Sequence, residues 1–537
     1  MKKAHLIALG MLSGLLLALS WPHRGFPLLL FIAFIPFLFV DDYLIKKKDE
    51  FSRWSSFLIT YPGFFVFNGL TVYWIWNSTL SGGIGALFLN SFFMTTAFSL
   101  YHLTRRSLYT HKHGNFLLLF FWLGFEYFHL DWDLTFPWLN LGNGFATWHK
   151  WVQWYEYTGA LGGTFWILLI NLLIYKVGLE VKAIKGFNKI SIASSIGILL
   201  LIIIPVMISY RIYNQYEEKE DPAKIVIAQP NLDPYSEQYG LAPRIVINRI
   251  TDLVGPIMEQ DIDFIVCPES ANQENMFERQ LEQYLSIRML RSFMKDYPKT
   301  SMVIGASTFK VVTGRDTLNN AARKFTRSNG HYFAFNAAMC IDQQEGIQLY
   351  HKSKLTPGVE KMPSWRILAP LERFAIDLGG TIGTLATDDM RSNFVGMDET
   401  KVGTVICYES IYGEFVSRFV RNGAELIFII TNDGWWGDTP GYKQHFITAK
   451  LRAIETRRSI ARSANTGISA FINQKGDVIQ QTNYWEKDVI KGTINKNSEL
   501  TFYTKNGDYI ARISSFIAVI FMLLAISMRL MKRKTLR

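Results

Sequence analysis

Cysteine is scarce in this chain of 537 residues: Cys267, Cys340 and Cys407 are all there is, with no CxxC pair and no His/Cys spacing suited to a metal. An odd number excludes a fully paired disulfide framework within the chain, so at least one thiol stays free for chemistry. The chain also lacks a glycine-rich phosphate loop of Walker or dinucleotide type, an internal repeat of solenoid period and any low-complexity tract. Charged residues amount to only 19%, against 49% hydrophobic and 15% aromatic, yet mean hydropathy is no more than +0.10. That average is too low for a chain wholly embedded in a membrane, while runs such as 198–204 and 116–122 are too apolar for an ordinary soluble enzyme. The average is a mixture: eight spans of ~20 residues each leave enough chain for one large soluble domain.

Candidate spans cover 4–21, 27–40, 57–76, 82–103, 116–129, 159–175, 190–210 and 513–530. The first follows Met1-Lys2-Lys3 and is read as an uncleaved span and not a signal peptide. Ala18-Leu19-Ser20 makes a poor cleavage site ahead of Trp21-Pro22-His23-Arg24, and a second apolar run follows at once. The net charge of +11 informs through its placement. Lys2-Lys3, Lys46-Lys47-Lys48 with Arg53, Arg105-Arg106 with Lys112, then Lys176, Lys182, Lys185 and Lys189, and finally Arg529, Lys532, Arg533, Lys534 and Arg537 fall on one side if every run spans. The alternate loops 23–26 and 77–81 hold one arginine between them. This positive-inside pattern predicts a multi-pass protein of the cytoplasmic (inner) membrane with both termini in the cytoplasm. The expected organisation is a membrane region over 1–210 with seven spans, an extracytoplasmic domain over 211–512, and a last span with a basic tail over 513–537. None of the charge calls for a nucleic-acid partner. Trp132, Trp138, Trp148, Trp151 and Trp154 crowd the loop 131–157 and read as an interfacial belt, with Phe136-Pro137-Trp138 a candidate lipid-facing entrance.

From about 221 to 505 apolar runs shorten to strand length, at 224–229, 264–267, 302–306, 403–407 and 426–431, and alternate with helical patterns at 244–258, 276–297 and 442–464. This is the signature of an α/β layered domain. Three strand ends each deliver a reactive side chain. Phe264-Ile265-Val266-Cys267-Pro268-Glu269 presents Glu269; the strand-like 346–350 leads to His351-Lys352-Ser353-Lys354; and Gly403-Thr404-Val405-Ile406-Cys407-Tyr408-Glu409 presents Cys407 ahead of a helical pattern over 411–421. A cysteine at such a turn lies near amide N–H groups and a helix N-terminus, which favour the thiolate. Taken singly, a solvated carboxylate, a surface lysine and an inert core thiol are the readier explanations of the three, and it is their order and local context that favour chemistry; Cys267 and Cys340 are read as inert core.

The order of Pro268-Glu269, Lys352 and Ile406-Cys407-Tyr408-Glu409 resembles the Glu-Lys-Cys triad of the nitrilase superfamily. Thr431-Asn432-Asp433-Gly434-Trp435-Trp436-Gly437-Asp438, Gln444-His445-Phe446, Arg452-Ala453-Ile454-Glu455 and Ala464-Asn465-Thr466-Gly467 are similar to the version found in the apolipoprotein N-acyltransferase family. The resemblance covers essentially the whole chain and implies membrane helices joined to an extracytoplasmic nitrilase-like αββα sandwich. It also implies transfer of an acyl chain from a phospholipid to the α-amino group of a diacylglyceryl-cysteine apolipoprotein, at the bilayer and without cofactor or metal. Glu269 would be the general base, Cys407 the nucleophile holding a thioester, and Lys352, with a backbone N–H near Tyr408, the oxyanion donor. Glu360 would position Lys352 or assist Glu269, Glu409 would brace the nucleophile turn or form a plain salt bridge, and Tyr408 would shape the acyl pocket. Trp435, Trp436 and Tyr442 would form a lip admitting lipid. The lysine loop departs from the family's usual Lys-x-His-Leu-Val-Pro-Phe-Gly-Glu, reading Lys352-Ser353-Lys354-Leu355-Thr356-Pro357-Gly358-Val359-Glu360; the lysine and second glutamate remain. The same triad would serve a membrane-tethered carbon–nitrogen hydrolase, for which eight spans have no evident purpose. A transporter with a sensor domain would need buried ionisable residues in its spans, of which the sequence offers chiefly Glu126.

Overall fold

The computed structural model describes residues 1–109, 114–314, 318–326, 329–344, 346–361 and 384–535. The chain forms two compact units: Met1–Ile75, Gly83–Gln215 and Asn506–Arg537 make the first, Trp76–Gly82 and Tyr216–Lys505 the second.

The first unit is helical. Each apolar run of the sequence falls on a helix: Lys3–Ser20, Ile35–Lys46, Ser55–Val72, Leu80–Leu108, Leu117–Phe128, Tyr155–Ile184, Lys189–Gln215 and Tyr509–Thr535. Five described segments are long and apolar enough to cross a membrane: Lys3–Ser20, Pro27–Lys46, Gly82–Leu108, Lys189–Gln215 and Tyr509–Lys532. The run expected to span over 116–129 yields a helix of only 12 residues, Leu117–Phe128. At ~1.5 Å per residue it is too short to cross a hydrocarbon layer alone. Helix Lys189–Gln215 exposes Ile192, Ile196, Leu199 and Ile203, a surface that suits lipid and not water. Helices Lys3–Ser20 and Ser55–Val72 cross at glycines: a Cβ on Gly14 would lie 1.9 Å from the Gly63 carbonyl oxygen, so only small residues permit this approach. The unit is richer in buried charge than the sequence implied. Asp41, His102 and Arg105 are fully buried beside Asp42, and Glu126 accepts from Trp122 Nε1, the Leu141 amide and Thr164 Oγ1. Trp138, expected at a lipid-facing entrance, is instead 5% exposed and packs on Trp74 with ring centroids 5.0 Å apart. Of the basic clusters, Lys112 and Arg537 lie outside the described residues.

The second unit is a two-sheet sandwich. Its strands are β1 Pro222–Gln229, β2 Phe264–Val266, β3 Asn272–Phe277, β4 Ser301–Val311, β5 Arg323–Lys324, β6 His331–Ile341, β7 Gln348–His351, β8 Phe394–Val395, β9 Lys401–Ile406, β10 Leu426–Thr431, β11 Ile460–Ala464, β12 Ala470–Ile472, β13 Val478–Gln481 and β14 Asp488–Asn495. One sheet runs β14-β1-β2-β4-β6-β5, with β3 on β4 and β7 on β6; the other runs β13-β12-β11-β10-β9-β8. Strands β9, β10 and β11 pair in parallel, and β10 is buried along its whole length, as its unbroken apolar sequence requires. On one side, alternate residues Val226, Ile265, Met302 and Met339 pack with Ile247, Ile250 and Val254 of helix Pro243–Val254 and with Ile287, Leu290 and Met294 of helix Leu285–Met294. Between the sheets, Phe264 of β2 meets Phe428 of β10 edge-on at 5.2 Å. Helices Gly413–Arg421 and Pro440–Thr456 accompany the second sheet, giving the αββα arrangement.

Three boundaries differ from the sequence reading. The pattern over 276–297 is not one helix: Met276 and Phe277 end β3, drawn into pairing with Thr308 and Phe309 of β4, and the helix starts at Leu285 where the Glu274 carboxylate accepts from the Leu285 and Ser286 amides. The pattern over 442–464 splits at Arg457, whose φ of 49° is left-handed, and 460–464 become β11. The helix after Cys407 begins only at Gly413, behind a five-residue 3-10 turn Cys407–Ile411.

Candidate active site

Each of the three strand ends carries its side chain to one cavity. β2 stops at Cys267-Pro268 and delivers Glu269; β7 delivers Lys352; β9 delivers Cys407. Gly305 of β4 makes the first of these possible, since a Cβ there would meet the Glu269 Cα at 2.6 Å. Glu269, Lys352 and Cys407 line a cavity of about 140 Å³ with Tyr239, Asn336, Glu360, Trp435 and Trp436.

Lys352 is 1% exposed, and its Nζ donates to Glu269 Oε1 at 3.0 Å and to Glu360 Oε1 at 2.9 Å. Burial works against the ammonium, but the two carboxylates outweigh it and hold Lys352 well above the usual lysine range. Burial likewise opposes the Glu360 charge, and Lys352 reverses that, leaving Glu360 below its ordinary value. Glu269 Oε2 accepts from the Asn432 amide at 3.1 Å, and Glu360 Oε2 from the Thr356 amide at 2.8 Å. Both carboxylates are thereby aimed by backbone as well as by the lysine. The Cys407 thiol does not sit in a thiolate-favouring place. Burial and the Glu269 charge push it up, and Lys352 only partly opposes them, while the short turn offers no helix N-terminus. Cys267, pushed up to about 12 by burial, and Cys340 are both buried.

Glu409 forms no salt bridge among the described residues. Its Oε1 accepts from Tyr350 OH at 2.7 Å and from the Ser353 and Lys354 amides at 2.6 and 3.2 Å, and its Oε2 accepts from the Ile406 amide at 2.9 Å. One buried carboxylate thus ties the lysine loop to the end of β9 that carries Cys407.

Comparison with known proteins gives the chain its place. Residues 13–173 match the apolipoprotein N-acyltransferase N-terminal domain, and residues 237–500 the carbon-nitrogen hydrolase domain. An apolipoprotein N-acyltransferase of Chlorobaculum tepidum is 28% identical over 96% of both chains, and one of Geobacter metallireducens 26% identical over 94% of this chain and 92% of its own. The chain belongs to the apolipoprotein N-acyltransferase family. It is an N-acyltransferase with a carbon-nitrogen hydrolase domain. Among solved structures, Saccharomyces cerevisiae Nit3, a nitrilase superfamily member, is 12% identical with a TM-score of 0.36, over 53% of this chain and 93% of Nit3.

Of the lip residues that resemblance to the apolipoprotein N-acyltransferase family suggested, Trp435 and Trp436 line the cavity. Tyr442 does not appear among the lining residues; it stacks on Tyr484 at 3.8 Å and donates to Asp438. Trp138 belongs to the first unit and packs there. Tyr408 is 6% exposed and meets Tyr412 edge-on. The sequence reading missed Asn336. Its Nδ2 donates to Glu269 Oε1 at 2.8 Å and to Glu360 Oε1 at 2.9 Å, joining the two carboxylates on the side away from any motif. An asparagine within β6 carries no local signal; only the pairing of β6 with β7, which sets Ala337 beside His351, brings it there.

Proposed function

We propose that this chain transfers a fatty acyl chain from a membrane phospholipid to the N-terminal α-amino group of a diacylglyceryl-cysteine apolipoprotein, through a thioester on Cys407. The observation that most supports this reading is the convergence of Glu269, Lys352 and Cys407 on one cavity walled by Trp435, Trp436, Phe309 and Phe335, in a chain that also carries long apolar helices.

In the first half-reaction the Glu269 carboxylate takes the Cys407 thiol proton as sulfur attacks the ester carbonyl carbon. Such an unfavourable thiol needs a base at hand. The oxyanion forms beside Lys352 and the Tyr408 amide; collapse breaks the ester C–O bond, and Glu269 returns its proton to the lysophospholipid alkoxide. In the second, the amine attacks the thioester, Glu269 takes one of its protons, and the Cys407 thiolate leaves and is reprotonated. Glu360 holds Lys352 between two carboxylates, and Glu409 keeps the lysine loop and the nucleophile turn in register. Aromatic walls exclude water, so the amine and not water takes the acyl group.

The membrane region is 1–210 with 513–537 and the catalytic domain 211–512, the domain extracytoplasmic and both termini cytoplasmic. The placing of Lys46, Arg105-Arg106 and Lys182 in helix last turns, and of Lys3 and Lys189 at helix starts, supports this. Purified chain loaded with phospholipid is expected to gain one fatty-acyl mass on the Cys407 peptide, releasable to a diacylglyceryl lipopeptide. Cys407→Ala and Glu269→Gln are expected to gain none. Absence of the adduct in the wild-type chain, or release of free fatty acid as fast as lipopeptide is acylated, defeats the reading.

A further inference from the structure

Behind the Cys407 turn lies a buried polar group to which the transfer chemistry gives no part. His445 of helix Pro440–Thr456 is 1% exposed, and Asp433 and Arg462 not at all. His445 Nδ1 lies 2.9 Å from Asp433 Oδ1 and 3.2 Å from Arg462 Nη2. Arg462 Nη2 donates to Asp433 Oδ2 at 2.6 Å, and Thr431 Oγ1 to Asp433 Oδ1 at 2.9 Å. Burial opposes the Asp433 charge, but Arg462 and His445 outweigh it and hold the carboxyl far below its usual range. On its other edge the imidazole Nε2 is 3.2 Å from the Cys407 carbonyl oxygen and 2.9 Å from Ser410 Oγ. Trp436, a wall of the cavity, packs edge-on against the ring at 5.6 Å.

The proton on Nε2 follows from its neighbours. The Cys407 carbonyl can only accept, and the Ser410 hydroxyl donates its own proton to that same carbonyl at 2.7 Å, so both partners call for Nε2–H. Asp433 can only accept, so Nδ1 donates to it as well: the ring carries a proton on each nitrogen, one held by Asp433 and one by the Cys407 carbonyl, and Arg462 fixes Asp433. This chain of contacts ends on a backbone that needs holding. Cys407 has φ of 49°, a left-handed conformation that a residue with a Cβ keeps only where its surroundings impose it. Its turn is five residues long, and the carbonyl held by Ser410 and His445 belongs to the residue whose sulfur reacts.

We infer that His445 is a positioning residue for acyl transfer: with Asp433 and Arg462 fixing its ring, its Nε2–H holds the Cys407 carbonyl and keeps the strained turn aiming the thiol at Glu269 and Lys352. This deepens the acyl-transfer reading and rests on it. The imidazole touches no reacting atom; it acts through the turn.

The test uses the full-length chain in detergent with His445→Gln and His445→Asn. The glutamine amide nitrogen reaches the position of Nε2, whereas that of asparagine reaches only the position of Nδ1. Two rates are read: alkylation of Cys407 by iodoacetamide, located by peptide mass, and single-turnover thioester formation from phospholipid. His445→Asn is expected to lose about 100-fold in thioester formation and to slow alkylation, at a thermal midpoint near that of the wild type, while His445→Gln stays within about threefold in both. Wild-type rates in His445→Asn overturn the inference, as do equal losses in the two variants, which would make the histidine a space-filler. Ser410→Ala serves if His445→Asn does not fold: loss of about tenfold in thioester formation is expected, and a wild-type rate overturns the inference. If the variants alkylate as expected but the wild-type chain forms no thioester, the acyl-transfer reading fails and the holding of the turn stands.

Discussion

In the first unit Arg105 sits between Asp41 and Asp42, adjacent residues of one helix; in the second Lys352 sits between Glu269 and Glu360, which come from separate segments. Both cations are buried between two carboxylates. Around Arg105 the carboxylates are further engaged by Tyr101 OH at 2.7 Å, His102 Nδ1 at 2.5 Å and Tyr175 OH at 2.8 Å. A planar, permanently charged fork set against two neighbouring carboxylates fastens helices together. Lys352 is a point charge at a cavity, and the Cys407 sulfur feels it. Buried charge alone therefore does not mark a reactive site; a cavity and a nucleophile beside it do. The cluster that a transporter reading would need is present, but as a fastening among helices.

Exchanging each cation for methionine breaks that comparison most sharply. Lys352→Met is expected to lower kcat about 1,000-fold in folded protein, since on the proposed mechanism the oxyanion loses its side-chain donor. Arg105→Met is expected to cost about 3 kcal/mol of stability, leaving the buried Asp41 and Asp42 without their guanidinium, with turnover per folded molecule unchanged. Thermal melts beside lipopeptide acylation measure both. A folded Arg105→Met protein that has lost turnover would show that the two clusters are not separate in role.

Glu409→Gln probes the link between lysine loop and nucleophile turn. All four partners of the carboxylate are donors, so an amide NH₂ must face a donor wherever it points. A fall in kcat of about 10- to 100-fold is expected, with KM for the lipopeptide little changed. A fall in KM-controlled binding alone would place Glu409 at the substrate.

Strand ends were legible because apolar runs stop abruptly at Pro268 and at Tyr408-Glu409, a local signal. Lys352 was legible only through resemblance, since Lys354 beside it has the same local character. What failed to show depends on long-range pairing. Asn336 reaches the site through the register of β6 on β7, and Asp41-Asp42 carry no local signal of a buried cluster until Arg105 meets them from another helix. The end of helix Pro440–Thr456 was hidden for another reason. Arg457 takes the left-handed capping conformation that glycine normally marks, so the apolar spacing ran on unbroken into β11.

The smallest expected effects lie in the thiol itself, and they separate base from electrostatics. Burial and the Glu269 charge raise the Cys407 thiol, and Lys352 lowers it. A raised thiol is protonated at neutral pH, so alkylation is expected to climb about tenfold per pH unit without a plateau below pH 9. Lys352→Met removes the opposing cation, lifts the thiol further and slows alkylation at every pH. Glu269→Gln removes the opposing anion, so the thiol falls and alkylation at pH 8 quickens severalfold, even though thioester formation is lost. Arg105→Met leaves the profile where it was. Slower alkylation in Glu269→Gln would mean that Glu269 already shares the thiol proton in the resting enzyme, making the pair, and not the thiol alone, the nucleophile at rest.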